Sequence, residues 1–294
     1  MLAGQIINGI VSGAMYALVA IGFSLVIGVL DKLNFTHPEV FMFGGFIALI
    51  SMAYLPLPWA FAITFLIGGL LGVMTEFIAF RRFKSADSKI TASLSSMALG
   101  LVITDLVQKY WGTEPLPLPT QKGWLYESVV IGGATILNLQ IAILFITLVL
   151  MILLHLVISK TRMGRQIRAL AESSVSASLL GINVKRVTQL VFFISSALAC
   201  VAGFLLALRG GAASSDIGLT FGLKALAIMA IGGFSDLRGA VIGGLLIGIL
   251  EALMFQLGLG RLAEMTVWVT MILVLMFKPG GLFGGGLHNM EQRV

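Results

Sequence analysis

Charged side chains are scarce in this sequence of 294 residues, since Asp, Glu, Lys and Arg make up 11% of it and hydrophobic residues 58%. A soluble domain carries about 25% charged residues. The polar side chains are therefore too few to cover a surface in water, which excludes a soluble globular protein. Intrinsic disorder is excluded as well, because disordered chains have low hydrophobicity. A protein with several membrane-spanning segments remains.

The sequence also lacks the residues of common catalytic and cofactor sites. Cys200 is its one cysteine, which excludes an internal disulfide and a cysteine-based zinc site. There is no Gly-x-x-x-x-Gly-Lys-Ser/Thr loop for ATP and no His-Glu-x-x-His motif of a zinc protease. We therefore expect no enzyme, no catalytic residue, no metal and no cofactor bound by this chain.

Apolar stretches are what the sequence has in abundance. They cover residues 4–29, 38–55, 58–80, 90–110, 137–158, 187–208, 219–234, 239–257 and 263–277. A membrane-spanning helix needs about 20 residues; most of the stretches come close to this length, but the second and seventh are short. Backbone groups in lipid must be hydrogen-bonded internally, which predicts helices. We expect an all-α, polytopic integral membrane helical bundle of about 8–9 membrane segments, including short or re-entrant ones. It would form a single transmembrane domain over residues 1–294.

The basic residues predict an orientation in the membrane. If the N-terminus lies outside and the chain crosses nine times, 14 of the 19 Lys and Arg residues fall on one side. They are Lys32, Arg81, Arg82, Lys84, Lys89, Lys160, Arg162, Arg165, Arg168, Lys185, Arg186, Arg238, Lys278 and Arg293. The other side has Lys109, Lys122, Arg209 and Arg261. The basic side is expected in the cytoplasm, together with the C-terminus. The net charge of +6 then reflects topology and not a nucleic-acid partner.

The longest polar segment on the basic side covers residues 159–186. Its apolar residues recur at helical spacing and predict one apolar face: Ile167, Leu170, Ala171, Val175 and Leu179. Gly181 occupies the position of a left-handed helix C-cap. We expect one or two short surface helices that end in a tight turn. A loop that only sets topology would not need a capped amphipathic helix, so docking of a soluble partner is the favoured hypothesis.

A second informative segment begins at Asn34. Thr36 and Glu39 have the spacing of a capping box, and Pro38 fits the first helical turn, so a helix should start near Thr36. Its apolar run ends by Leu55, which makes it short for a bilayer. We expect it to begin below the membrane surface, with free N–H groups towards a cavity. The alternative is a plain structural cap.

The seventh stretch, residues 219–234, is also short and is flanked by glycines. In secondary transporters, two such short segments mark the central path. By analogy, the second and seventh stretches of this chain would border a central path. The candidate residues of this path are Asn34, Thr36, His37, Glu39 and Lys224.

Ionisable residues within membrane segments are functional candidates. We expect Glu76 and Asp105 to reach interfacial water near the ends of their spans. Lys224 and Glu251 lie deeper, and they either pair with each other or line the path.

Small residues at four-residue spacing predict close packing of helices. The pairs are Gly9 and Gly13, Gly68 and Gly72, Gly239 and Gly243, and Gly244 and Gly248.

Several motifs carry a resemblance to a known family. They are Gly13-Ala-Met-Tyr-Ala-Leu-Val-Ala-Ile-Gly-Phe-Ser, Asn34-Phe-Thr-His-Pro-Glu-Val, Trp111-Gly-Thr-Glu-Pro, Gly164-Arg-Gln-Ile-Arg-Ala with Leu180-Gly-Ile-Asn-Val, Gly222-Leu-Lys-Ala-Leu with Gly232-Gly-Phe, and Lys278-Pro-Gly-Gly-Leu-Phe-Gly. In this order, and over essentially the whole chain, the sequence resembles the membrane-spanning permease subunits of branched-chain amino-acid ABC importers. It departs from the family at Thr36 and Pro38, where Ala and Gly are usual.

The resemblance implies alternating access by a complex in the prokaryotic cytoplasmic (inner) membrane. Its partners would be a second permease subunit, identical or homologous, two cytoplasmic ATPase subunits that hold ATP-Mg, and an extracytoplasmic solute-binding protein. The loop over 159–186 would contact an ATPase. The coupling residues would be Arg165, Arg168, Glu172, Leu180, Gly181, Ile182 and Asn183.

Three alternatives stay open. The family also serves urea, short amides and other small solutes. A self-sufficient, ion-coupled secondary transporter would need titrating groups in the membrane, for which Lys224 and Glu251 are the deep candidates. An intramembrane enzyme is disfavoured by the missing motifs.

Overall fold

The structure is a computed structural model that describes residues 2–83, 88–119, 123–131 and 134–284. Lys84, Lys122 and Arg293, which were assigned to membrane sides above, lie outside the described residues.

Eleven α-helices make up most of the described residues. They are α1 Leu2–Leu30, α2 His37–Tyr54, α3 Leu57–Thr75, α4 Lys89–Trp111, α5 Asn138–Lys160, α6 Arg162–Glu172, α7 Ser174–Leu179, α8 Val184–Gly210, α9 Ile217–Gly232, α10 Leu237–Gln256 and α11 Ala263–Phe277. A π-helical turn, Glu76–Phe80, continues α3, and 3-10 turns lie at Trp124–Tyr126 and Gly260–Leu262. Four short strands are β1 Leu116–Pro117, β2 Ser128–Ile131, β3 Ala134–Leu137 and β4 Ala212–Ala213.

Eight of the described helical segments are long and apolar enough to cross a membrane, and α9 is a ninth, shorter apolar helix. Every predicted apolar stretch corresponds to one of these helices. The all-α, polytopic membrane fold is therefore confirmed. The strands only pair in connecting segments, β1 with β4 and β2 with β3, both antiparallel.

The chain divides into two compact units, which are described separately. The terminal unit comprises Met1–Ser24, Thr120–Leu148 and Leu223–Val294, and the central unit comprises Leu25–Pro119 and Val149–Gly222. The single permease domain over 1–294 stays a prediction.

The core of the central unit is α8, whose small residues let α2 and α3 approach to backbone contact. A Cβ atom added at Gly203 would lie 1.7 Å from the carbonyl oxygen of Phe41, and one at Gly44 would lie 1.9 Å from that of Cys200. On α3, a Cβ atom at Gly72 would lie 2.2 Å from the carbonyl oxygen of Phe192. Helices in lipid gain stability from such close van der Waals contact.

Glycine contacts also join helices of the terminal unit. Gly9 faces Gly248 and Gly13 faces Gly244, where an added Cβ atom would lie 2.7 Å from the opposite carbonyl oxygen in each case. The predicted close packing at the spaced glycines is confirmed.

The loops after α1 and α3 meet within the central unit. Lys89 forms an ion pair with Asp31, and the ammonium of Lys32 donates to the carbonyl oxygen of Phe83. Burial and then the neighbouring charge of Lys89 lower the pKa of Lys32 from its usual value. These two loops therefore lie on the same side of the unit.

Glu76 departs from its predicted contact with interfacial water. Its side chain is buried, and its carboxylate pairs with Arg81 at 2.9 Å, one turn further on. The π-helical turn over Glu76–Phe80 and the adjacent helices shield the acid, which spacing along the sequence does not reveal. Asp105 is exposed on the surface of α4, and its contact with interfacial water stays a prediction.

Candidate functional site

Helix α2 begins deep within the central unit. His37, its first residue, places Nδ1 3.4 Å from Oγ of Ser195 on α8. Ser195 lies about 16 Å along α8 from its first residue, Val184, at 1.5 Å per residue. The N-terminus of α2 is thus far from the end of α8 that follows the polar loop. The expected start of α2 below the membrane surface stays a prediction.

The predicted capping box of Thr36 and Glu39 is wrong. Thr36 has helical backbone angles and makes no side-chain cap, because its hydroxyl donates to the carbonyl oxygen of Ser96 on α4 at 2.6 Å. The carboxylate of Glu39 accepts from the hydroxyl of Thr104, also on α4, at 2.7 Å. A neighbouring helix supplies partners that outcompete the local ones. The predicted helix start and the place of Pro38 in the first turn are correct.

The two short apolar segments contact each other where each begins. A Cβ atom at Gly218, in the first turn of α9, would lie 2.6 Å from Oε2 of Glu39, and one at Gly222 would lie 2.3 Å from Cγ of Pro38. The rings of Phe41 and Phe221 stack with centroids 5.5 Å apart. Glycine on α9 therefore lets the two helix starts meet. That they border a solute path stays a prediction.

A polar stripe on α4, formed by Ser96, Gly100, Thr104 and Gln108, was missed by the sequence analysis. Residues four apart share one face of a helix. Ser96 accepts from the backbone N–H of Phe35, and Gly100 lies against the side chain of Glu39. Gln108 donates to Ser215 at 3.4 Å. Small and polar residues at this spacing within an apolar span were the signal that could have found it.

Glu39 has an unusual electrostatic environment for a membrane segment. Thr104 is the one hydrogen-bond partner of its carboxylate within the described ranges, and the carboxylate forms no ion pair there. The side chain belongs to the first turn of α2 and touches the first turn of α9 at Gly218. Helix N-termini carry partial positive charge, which stabilises a nearby anion. The acid is therefore held by dipoles rather than by a cation.

Of the other predicted path residues, Asn34 and His37 lie with Glu39 in the central unit, whereas Lys224 belongs to the terminal unit. Asn34 is buried, its Oδ1 accepts from the N–H of Thr36, and its Nδ2 has no partner among the described residues. His37 is fully buried beside Ser195. The central unit thus brings Asn34, Thr36, His37 and Glu39 to the start of α2.

Lys224 is engaged in the terminal unit. Its Nζ lies 3.0 Å from Oε1 of Glu251 and 3.6 Å from Glu264, and the hydroxyl of Tyr16 donates to the other oxygen of Glu251 at 2.7 Å. Of the two alternatives, pairing of Lys224 with Glu251 is the one observed.

The segment over 159–186 forms two short helices, as predicted, each with a side-chain cap. The hydroxyl of Thr161 accepts from the N–H of Gly164 at the start of α6, and Ser173 accepts from Ser176 at the start of α7. Asn183 caps the start of α8. Gly181 has φ +79°, the predicted left-handed conformation.

The single apolar face predicted for this segment is wrong. Ile167 and Leu170 are buried, but Ala171, Val175 and Leu179 are exposed. The reason is Ser173, whose extended backbone separates α6 from α7 and breaks the helical phase between them.

An exposed apolar patch results beside Gly181. Val175, Leu179 and Leu180 are 68%, 83% and 78% exposed. Exposed apolar patches of this kind mark interaction surfaces. Arg165 and Glu172 are exposed nearby, whereas Arg168 donates to the carbonyl oxygen of Ile158 at the end of α5. The coupling roles of Arg165, Arg168, Glu172, Leu180, Gly181, Ile182 and Asn183 stay predictions.

Known proteins resemble this chain along almost its whole length. The high-affinity branched-chain amino acid transport system permease protein BraD of Pseudomonas aeruginosa is 32% identical, covering 95% of both chains. The corresponding protein LivH of Salmonella typhimurium is 33% identical over 95% of this chain and 94% of its own length. The ribose import permease protein RbsC of Haemophilus influenzae is 26% identical over 92% of this chain and 83% of its own. No solved structure gives a significant match.

The family described as the permease component of the branched-chain amino acid transport system matches residues 5–277. This match covers all the described membrane-capable helices, from α1 to α11, and both segments singled out above. The chain therefore belongs to the family of permease components of branched-chain amino acid transport systems.

Proposed function

We propose that this chain is the membrane-spanning subunit of an ATP-binding-cassette importer for branched-chain amino acids in a prokaryotic cytoplasmic membrane. The observation that carries the proposal is the family match over residues 5–277, with relatives at 32–33% identity named as branched-chain amino acid permeases. The chain would form the solute path and change conformation with the ATPases, while these separate subunits hydrolyse ATP.

The partners in this proposal are a second permease subunit, two ATPase subunits and a solute-binding protein on the outer face. The exposed patch of Val175, Leu179 and Leu180 supports docking of an ATPase, because apolar side chains at the end of a short, capped helix suit a protein interface. The left-handed turn at Gly181 would hold this patch in place. ATP-Mg would bind to the partner and not to this chain.

The solute path would run past the start of α2. Glu39 and Thr104 supply polar groups there, and Gly218 leaves space beside the carboxylate. Partly buried polar groups in membrane proteins are retained mainly where they face a pathway or a partner.

The proposed topology has the N-terminus outside and the C-terminus in the cytoplasm. The pairing of Lys89 with Asp31 supports it, since this contact places the loop with Lys32 on the same side of the central unit as the segments with Arg81, Arg82 and Lys89. Basic loops are retained in the cytoplasm.

Reconstitution of the complete importer in liposomes tests the function. We expect uptake of radiolabelled leucine that requires ATP, both ATPases and the binding protein. Uptake by this chain alone, driven by an ion gradient, would instead establish a secondary transporter. ATP-dependent uptake of urea, short amides or a sugar, without uptake of leucine, would contradict the proposed substrate class. It would still agree with an ABC importer.

A further inference from the structure

Glu39 is an acid that no cation neutralises within the described part of the central unit. Its carboxylate lies between α4, through Thr104, and the first turn of α9, at Gly218. The side chain is half-buried and not sealed. Acids within membrane segments are rare and mark ion or substrate pathways when they face a cavity or a bundle interior.

The surroundings of Glu39 favour a solute group that carries both positive charge and hydrogen-bond donors. An ionised carboxylate only accepts hydrogen bonds, and its two oxygens offer about four lone-pair sites. Thr104 uses one of these sites on Oε2. An ammonium group has three donors and a full positive charge, and its attraction to a carboxylate strengthens where water is excluded.

The stripe on α4 offers polar neighbours on both sides of this position. Ser96 lies two turns before Thr104 and Gln108 lies one turn after it, on the same helix face. Gly100 and Gly218 leave the carboxylate free of bulky side chains on the flanks that they form. Among the stripe residues and the described side chains that contact them, Glu39 is the one acid. A solute that moves along α4 would therefore meet a single carboxylate.

We propose that Glu39 binds the ammonium group of a zwitterionic amino acid as it passes along α4. This inference rests on the proposed function and deepens it, because it selects amino acids over urea, amides and sugars, which carry no ammonium group. The proposal concerns the ammonium group of the solute and not its carboxylate. The competing explanation is structural, in which Glu39 only stabilises the positive ends of α2 and α9.

The first experiment separates transport from ATP hydrolysis in the reconstituted importer. Glu39→Gln keeps the size of the side chain and an acceptor for Thr104 but removes the charge. We expect leucine uptake to fall about tenfold or more, as for loss of one buried charge contact. Binding-protein-stimulated ATP hydrolysis should remain within about twofold, because the energising subunits are untouched. Glu39→Asp keeps the charge and should restore most of the uptake.

A matched control is Asp105→Asn, which removes an exposed acid adjacent to Thr104 on the same helix. This variant should leave uptake and ATP hydrolysis unchanged. Wild-type uptake by Glu39→Gln would overturn the inference, and so would a parallel fall of uptake and ATP hydrolysis, which indicates a structural or coupling role. Failure of the wild-type importer to transport leucine would instead contradict the proposed function, and not the inference on Glu39 alone.

The second experiment avoids selection by the binding protein. Saturation-transfer NMR on the purified permease complex would compare leucine, 3-methylbutylamine and 4-methylpentanoate, which share the branched side chain. We expect the two ammonium compounds to bind in a manner that Glu39→Gln weakens by about fivefold or more. The carboxylate compound should not respond to the substitution. An equal response of all three, or none, would contradict an ammonium site.

Discussion

Both carboxylate oxygens of Glu251 are engaged, one by Lys224 Nζ at 3.0 Å and the other by the hydroxyl of Tyr16 at 2.7 Å. The three residues are 6–8% exposed and come from α1, α9 and α10. Buried charges are tolerated when they are paired and hydrogen-bonded in this way. The pair therefore ties together segments of the terminal unit.

Lys224→Met should destabilise the protein by about 3–5 kcal/mol, because it leaves the carboxylate of Glu251 buried without its cation. Adding Glu251→Gln should recover much of this loss, since Tyr16 can still donate to the amide oxygen. A double-mutant cycle tests this: the stability of the two single variants and of the double variant is measured by thermal unfolding in detergent. Strictly additive effects would show that the two groups are not coupled.

The exposed Glu264 provides the comparison for this ion pair. It lies 3.6 Å from Lys224, but its side chain is 67% exposed. Glu264→Gln should change stability by less than about 1 kcal/mol, because exposed pairs are screened by water. A loss as large as that of Lys224→Met would mean that Glu264 is the main partner.

Gly203→Ala should prevent stable folding, with a loss of about 3 kcal/mol or more, because the added methyl would lie on the backbone of Phe41. Gly210→Ala, on the same helix, meets nothing within 4 Å and should be neutral or slightly stabilising. Yield of inserted protein and thermal stability in detergent report the difference. Equal behaviour of the two variants would contradict the contact of α2 with α8.

Gly181→Asp should uncouple transport while the protein still inserts, because it alters the turn beside the exposed patch. Gly258→Asp is the control, since both glycines have left-handed φ, +79° and +75°, and neither has an atom within 4 Å of an added Cβ. Both changes carry a similar backbone strain of about 1–2 kcal/mol. Only Gly181→Asp should lower uptake and stimulated ATP hydrolysis, by about tenfold for a lost interface contact. If it retains both activities, the docking assignment is wrong.

Cysteine labelling should establish the orientation with little background, because the native Cys200 is fully buried. Ser176→Cys in the segment over 159–186 should react with a membrane-impermeant maleimide only from the cytoplasmic side, when this chain is expressed without its ATPase. Trp124→Cys should react only from the outside, since Trp124 is 64% exposed in the loop between α4 and α5. The reverse pattern in intact cells and inverted vesicles would invert the proposed topology.

Hydrophobicity and spacing along the sequence were sufficient to predict the apolar helices of this fold. All nine apolar stretches are helical, and Gly181 takes the left-handed conformation expected of it. These properties are local, because lipid requires each segment to bond its own backbone and only glycine adopts a left-handed turn without strain.

Side-chain partners depended on neighbours that are distant in the sequence. Thr36 and Glu39 have the spacing of a cap, yet Ser96 and Thr104 on α4 bind their side chains. Glu76 is buried by adjacent helices although it was expected near water.

The sequence by itself determined the membrane class, the helices, the packing glycines and the family, because each depends on composition or on residues close in the chain. Only the tertiary structure decided that the starts of α2 and α9 meet at Glu39 and Gly218, and that Lys224 pairs with Glu251. A polar side chain in a membrane bundle bonds to the nearest available group, and which group is nearest depends on how the helices pack.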